Sequence, residues 1–356
     1  MSGTSLDGVD GVLVNFRDPG NLELEAHVHL PFAPELKQHL LNLNSPANNE
    51  IECAGVAAID LARLYASNVA ALLEQAGLRA SDVRAVGCHG QTIRHRPDLG
   101  YTLQIGNPAW LAELCGIHVV ADFRSRDIAA GGQGAPLVPA FHQAVFAHPL
   151  KHRVIVNIGG ISNLTNLPPQ GPVSGFDCGP GNILMDGWIM QQCGLAFDEG
   201  GRWASGGKVI HDLLVRLLDD PYFNLSPPKS TGRDHFNPGW LQARLQPGYA
   251  AIDVQATLLE LSANCIAGDI LKHCSGAEEI FLCGGGARNQ SLVERLQAML
   301  PHAGIASTEV LGLDADRVES AAFAWLAMQC LSGCTGNLPR VTGARGPRIL
   351  GAIYQA

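Results

Sequence analysis

The sequence predicts an α/β fold built as two similar domains facing each other across a cleft. Two observations carry this. A glycine-turned hairpin occurs twice, around Ser2 to Phe16 and again around Val154 to Leu167, and each is followed by further strands and helices. The glycines, 41 in all, fall in short clusters at strand ends rather than in a linker, as close backbone approach to a ligand requires. Identity between the halves is low, so the duplication rests on the order of elements.

The elements follow in order. Val9 to Phe16 is apolar and β-branched and Leu22 to Leu30 alternates with period two, which predicts a hairpin turning at Arg17 to Asn21. Leu61, Leu64, Tyr65, Val69, Leu72 and Leu73 recur at three- and four-residue steps, predicting a long amphipathic helix over 54–76. Short strands follow at 85–88, 101–105 and 118–121, then a helix at 136–146. The pattern restarts at Arg153, with strands at 154–158, 161–167 and 173–176 and a helix from about Asn182. Further helices are predicted at 207–218, 254–273 and 290–300, with a buried strand at 280–283. An alanine-rich helix over 319–331, capped by Asp314 or Asp316, comes last. Residues 225–238 read as surface loop. The expected division is 1–150 for the first domain, with the tail 335–356 packing back on it, and 151–334 for the second.

Composition narrows the function. The balance of 24 Lys and Arg against 33 acids leaves a net charge of −9, without the basic footprint of a nucleic-acid binder. The ten cysteines form no C-x-x-C pair, which argues for buried reduced thiols rather than a zinc site and favours a reducing compartment. The polar opening and the lack of an uninterrupted apolar run of about 18–20 residues predict a cytoplasmic protein with no membrane partner.

Four motifs carry chemistry. In Ser2-Gly3-Thr4-Ser5-Leu6-Asp7-Gly8-Val9-Asp10, small residues and hydroxyls at a turn can wrap N–H groups around phosphate oxygens, and Asp7 can reach a Mg²⁺ ion. An ordinary polar turn is the alternative. Asn157-Ile158-Gly159-Gly160-Ile161-Ser162-Asn163 offers a second clamp on a polyphosphate, with a plain hairpin turn as its alternative. In Gly175-Phe176-Asp177-Cys178-Gly179-Pro180-Gly181-Asn182, Asp177 ends a strand where it can act as a base, or else cap the following helix. Cys283-Gly284-Gly285-Gly286 lets backbone lie flat against a purine or ribose. A dinucleotide loop is the rival there, but no acid ends a following second strand.

Taken together, these motifs resemble the actin, hexokinase and heat-shock chaperone superfamily. The strings S-G-T-S-L-D-G, C-H-G-Q-T, D-F-R-S-R-D-I-A-A-G-G-Q-G-A-P-L-V-P, N-I-G-G-I-S-N, F-D-C-G-P-G-N and the closing V-T-G-A-R resemble the anhydro-N-acetylmuramic acid kinase family over essentially the whole chain. The resemblance implies two ribonuclease H-like (actin/hexokinase-type) domains around a central cleft. It also implies use of ATP and Mg²⁺ to open 1,6-anhydro-N-acetylmuramic acid and phosphorylate it at the sixth oxygen in cell-wall recycling.

The residue matching the family's base is Asp177. ATP is expected at Gly3 to Asp10, Gly159, Gly160, Asn163 and Gly284 to Gly286, with Asp7 at the metal. His89, Gln91, Thr92, Arg124, Arg126 and Glu319 are expected to line the sugar site, with an arginine on the lactyl carboxylate. For each arginine the alternative is an ion pair with Asp122 or Asp127, for His89 a buried loop-shaping role, and for Glu319 a helix-dipole partner. The resemblance leaves room for a homodimer.

Two departures stand out. Family members carry a short strand ahead of S-G-T-S where only Met1 precedes Ser2 here, so the expected start lies upstream; without that strand a sheet edge stays unpaired. Cys178 replaces the usual threonine, with a modest expected effect. Two other functions compete: a nucleotide-driven binding protein on the same fold, and an oxidoreductase built on Gly284 to Gly286.

Overall fold

The structure is a computed structural model that describes residues 1–356 apart from Thr4, Ser5 and Pro19. Its strands are β1 (Gly8–Asp18), β2 (Asn21–Pro31), β3 (Val86–Gly87), β4 (Gln91–Arg96), β5 (Tyr101–Ile105), β6 (Val119–Ala121), β7 (Arg153–Ile158), β8 (Ile161–Leu167), β9 (Ser174–Pro180), β10 (Glu279–Cys283), β11 (Gly304–Ser307) and β12 (Ala352–Tyr354). The chain forms two compact units, one of Met1–Val145 with Arg317–Ala356 and the other of Phe146–Asp316.

The second unit is built on a five-stranded sheet in the order β11-β10-β7-β8-β9. Its first three strands are antiparallel neighbours, whereas β10 and β11 join parallel to β7. A three-strand meander extended on its other edge by parallel strands is the ribonuclease H-like pattern expected from the sequence. Val154, Val156 and Ile158 of the central β7 alternate along the strand onto one face and are completely buried there. The helix Ala251–His273 covers the sheet with Val254, Leu258, Leu261 and Ile266, and together they form the unit's core.

In the first unit, β1 pairs antiparallel with β2, β3 parallel with β6, and β12 antiparallel with β6. The helix Glu50–Ala76 is long and apolar enough to cross a membrane, with a mean hydropathy of 1.4 over 18 residues. It packs against β1 and β2 and buries Ala57, Leu61, Ala62, Tyr65 and Leu72. The helix Val318–Leu331 packs on β1 and β3, so the chain returns to the first unit at Arg317 and not, as the sequence suggested, after residue 334. Gly87 makes this possible: a Cβ there would stand 2.4 Å from the carbonyl oxygen of Phe323.

Comparing the two units exposes a gap. In the second, β7 lies between the meander strand β8 and the parallel strand β10. In the first, the corresponding β1 and β3 are in separate sheets, and a cavity of about 610 Å³ lined by Val12, Val14, Val86 and Gly87 lies between them. Met1 stands at its head and pairs in strand fashion with Asp10: the N-terminal ammonium of Met1 donates to the Asp10 carbonyl and the Asp10 amide to the Met1 carbonyl, each over 2.8 Å.

The sequence missed some elements. The helices Pro34–Asn42 and Pro108–Cys115 open on prolines, which suit a first helical turn but read as loop in a linear scan. Strand β4 is broken by a register shift between Thr92 and Arg94, and β11 is only four residues long with none fully buried.

Candidate active site

Asp177 lies on β9, where the antiparallel register sets it directly beside Asn163 of β8, which in turn pairs with Asn157 of β7. Direct partners share a sheet face, so the three polar side chains form one row. All three are partly exposed between buried neighbours. The next strand continues the row, with Cys283 of β10 opposite Asn157. The sequence-assigned base and the sequence-assigned Asn163 are therefore neighbours.

The Asp177 carboxylate is held from one side. Its Oδ2 accepts from the Thr231 amide and the Ser230 hydroxyl, each at 3.0 Å. The Asp177 amide donates to the Lys229 carbonyl over 3.1 Å, and its carbonyl accepts from the Tyr222 hydroxyl over 2.7 Å. Asp177 does not cap the following helix; these bonds fix it to the segment 229–231. Burial raises its pKa to about 6, and the bonds from Thr231 and Ser230 and the charge of Lys229 work against that rise. A carboxyl titrating there is suited to accept a proton near neutrality. Sequence reading passed over residues 229–231 because they lie in a proline-bearing loop. The usable signal was a lysine followed by two hydroxyl residues, Lys229-Ser230-Thr231.

The glycine motifs of this unit divide by what requires them. Gly284 has φ +77°, and a Cβ there would meet the Asn157 amide oxygen at 2.3 Å; one at Gly286 would meet Ile158 at 2.2 Å. Those two glycines serve the packing of the strand exit on β7. Gly159 and Gly160 differ, because a Cβ would meet nothing nearer than 3.5 and 3.7 Å, and at Gly285 nothing within 4 Å. The chain itself does not demand glycine at these three positions. The carbonyls of Gly159 and Gly160 accept from the amides of Asn182, Gly181 and Ile183, which fastens the turn to the start of the helix Ile183–Cys193.

In the first unit, Arg124 and His89 are joined. Arg124 donates from Nε over 3.1 Å to His89 Nε2, with Nη2 2.9 Å from the same atom, and from Nη1 to the Gly134 carbonyl over 2.8 Å. His89 Nδ1 lies 2.7 Å from the Gly90 carbonyl. The ring therefore carries its proton on Nδ1 and is neutral. Burial, then the Arg124 charge, hold its pKa well below the usual histidine value. Both groups pack on Phe323, the His89 ring at 4.5 Å between centroids and the Arg124 guanidinium at 5.9 Å. Glu319 belongs to the same cluster: burial raises its carboxyl and the Arg124 charge opposes this.

Gln91 is buried and donates to the Gly3 carbonyl over 3.2 Å, while its Oε1 has no hydrogen-bond partner among the described residues. Thr92 Oγ1 accepts from Gln104 over 3.2 Å. Arg126 does not join this group. It is exposed and lines a different cavity with Asp122, Ser125 and Arg348. Asp127 is no surface partner for either arginine. It is fully buried and accepts from the Gly134 amide, Asn337 and Thr342, tying the loop to the C-terminal segment.

The first glycine motif is described only in part, since Thr4 and Ser5 lie outside the described residues. Leu6 and Val9 turn their side chains into the core, so any ligand contact at these positions would come from backbone. Asp7 is exposed and accepts from the Gly8 amide through Oδ1 over 3.0 Å; Asp10 Oδ1 lies 2.9 Å from His29 Nδ1. No cluster of three or more metal-ligating side chains occurs among the described residues. Mg²⁺ is commonly held by one or two carboxylates together with water and phosphate oxygens, so a single exposed Asp7 is compatible with it.

The family model for anhydro-N-acetylmuramic acid kinase matches residues 1–356. The chain is 55% identical over 358 residues to the anhydro-N-acetylmuramic acid kinase of Nitrosospira multiformis, covering 100% of this chain and 98% of that one. It is 56% identical over 367 residues to the same-named protein of Variovorax paradoxus, with 100% and 98% covered. Among solved structures, the (R)-2-hydroxyglutaryl-CoA dehydratase component A of Acidaminococcus fermentans overlaps with a TM-score of 0.46 at 12% identity, covering 89% of this chain and 96% of that one. This chain belongs to the anhydro-N-acetylmuramic acid kinase family and is a phosphotransferase.

Proposed function

We propose that Asp177 is the general base of an ATP-dependent reaction that opens 1,6-anhydro-N-acetylmuramic acid and phosphorylates it. The observation that carries this is a carboxylate in the middle of β9, not at the strand end the sequence suggested, fixed by two hydrogen bonds and with its pKa raised to about 6. Asp177 takes a proton from water as the water oxygen bonds to the anomeric carbon. The bond from that carbon to the bridging oxygen breaks, and its electron pair stays on the sixth oxygen. That oxygen bonds to the γ-phosphorus, the bond from phosphorus to the bridging oxygen of ADP breaks, and Asp177 releases its proton to solvent. Holding water, sugar and γ-phosphate in register supplies much of the rate.

The residue roles extend the same reading. The phosphates of ATP approach the Gly159–Gly160 turn and Asn163, where the missing side chains leave room that the fold does not use. Gly285 offers the same room to the nucleoside, and Gly3 to Asp10 contribute backbone donors. Asp7 would hold Mg²⁺, directly or through water, and the ion would neutralise charge on the phosphate oxygens. Gln91 Oε1, buried and without a partner among the described residues, suits the amide N–H of the acetamido group. Arg124, with His89 and Glu319 beside it, is the candidate for the lactyl carboxylate; Arg126, on another surface, is less suited.

The experiment is incubation with Mg-ATP and the anhydro-sugar in ¹⁸O-labelled water. Mass spectrometry should find a 6-phosphate with the label at the anomeric oxygen. Unlabelled product, or ADP formed without sugar phosphate, would reject the reading.

A further inference from the structure

The segment that holds Asp177 is itself anchored by a buried charge pair that the proposed reaction does not use. Lys229 is 6% exposed, and its Nζ lies 3.2 and 2.9 Å from the two carboxylate oxygens of Asp269 on the helix Ala251–His273. The ammonium also stands over two aromatic rings, Phe176 at 5.7 Å and Tyr222 at 5.1 Å. Both rings flank Asp177: Phe176 precedes it on β9, and Tyr222 bonds its carbonyl. A lysine held this way has little freedom, and its own backbone accepts the Asp177 amide. Burying an ion pair gains little stability over apolar residues of the same shape, so stability alone does not account for this one.

We propose that Lys229, paired with Asp269, is a positioning residue that fixes the 229–231 segment against Asp177 and sets how tightly that carboxylate binds its proton. This rests on Asp177 being the base. The groups facing the pair are known from every element around it. Cys178 comes from β9, Cys265 and His273 from the covering helix, Cys274 from its end, and Tyr222 from the short helix Pro221–Asn224. Burial keeps the thiols and the phenol neutral and pushes His273 towards its neutral form, which leaves Lys229 and Asp269 as the opposed charges.

Two single substitutions should therefore move Asp177 in opposite directions. Lys229→Met removes the cation and raises its pKa; Asp269→Asn leaves the cation uncompensated and lowers it. Each shift should be about half to one pH unit, or about 3- to 10-fold in the protonation constant. Lys229→Arg should restore the wild-type position in part.

The readout is the titration of ¹³C-labelled aspartate carboxyls by NMR, with the Asp177 signal assigned by its loss in Asp177→Asn. The acid limb of kcat/KM is followed in parallel. Shifts of the same sign, or none in either variant, would overturn the proposal, and if Lys229→Met does not fold, the downward shift in Asp269→Asn decides alone. Turnover by Asp177→Asn would instead remove the base assignment, while the titration would still judge the coupling.

Discussion

Asn163 and Asp177 are direct partners across the β8–β9 ladder, just past a register shift between Ser162 and Asn163. Such irregularities re-aim side chains, and here one comes immediately before the row of polar groups Asn157, Asn163 and Asp177. Asn163→Ala should weaken ATP, with KM for the nucleotide rising about 5- to 10-fold, the scale of one or two hydrogen bonds to a charged group. Steady-state kinetics with ATP varied at saturating sugar checks this.

The acid side of the pH profile should report Asp177. Its pKa stands at about 6, above the ordinary 3.8, so the carboxylate needed for proton uptake is lost as pH falls through that value. kcat/KM should fall about tenfold per unit below pH 6 and level off above it. A plateau reaching unchanged to pH 4.5 would contradict the assignment.

His89 should stay neutral from pH 5 to 8, because burial and Arg124 both disfavour its charged form. In the unfolded chain it titrates near 6.5, so the unfolded state binds the extra proton below that pH and the folded state does not. Stability should therefore decline as pH drops below 6.5, by up to about 1.4 kcal/mol per unit from this one group. Denaturant melts of wild type and His89→Gln between pH 5 and 7 should differ in that slope.

The triple glycine separates folding from binding. Gly284→Ala puts a Cβ 2.3 Å from Asn157 at a φ of +77°, and should cost stability by about 2 kcal/mol or more. Gly285→Ala meets nothing within 4 Å and should leave the melting temperature unchanged while weakening ATP. Equal loss of stability in both would remove the nucleoside role of Gly285.

The cavity between β1 and β3, about 610 Å³, is lined by Val12, Val14, Val86 and Leu72 together with polar Asn15 and Asn68. Adding an apolar, β-branched pentapeptide ahead of Met1 should raise stability by about 2 kcal/mol or more through side-chain burial and ladder bonds. A Gly-Ser extension of equal length should not. Thermal unfolding of the two compares them directly.

Much of this was legible in the sequence because it is local. The hairpins, the glycine turns and the motif around Asp177 are each spelled by a few consecutive residues, although β9 runs on to Pro180 and leaves Asp177 inside the strand. What stayed hidden depends on distance along the chain. Thr231 reaches Asp177 across 54 residues and Lys229 reaches Asp269 across 40, from a loop whose prolines advertise only a turn. Asp127 read as a surface partner for arginine, but segments more than 200 residues away bury it. The helix Val318–Leu331 is so evenly apolar that its pattern names no partner; Gly87, on a two-residue strand, decides where it docks.

The central claim is that one carboxylate, Asp177, performs the proton transfer. Single-turnover reaction of Asp177→Asn with Mg-ATP and the anhydro-sugar, beside ATP-binding calorimetry, tests it most directly. The account predicts a loss of about 10³-fold or more in the chemical step, with the nucleotide affinity retained within about threefold. Sugar phosphate formed at a near wild-type rate by that variant would contradict it.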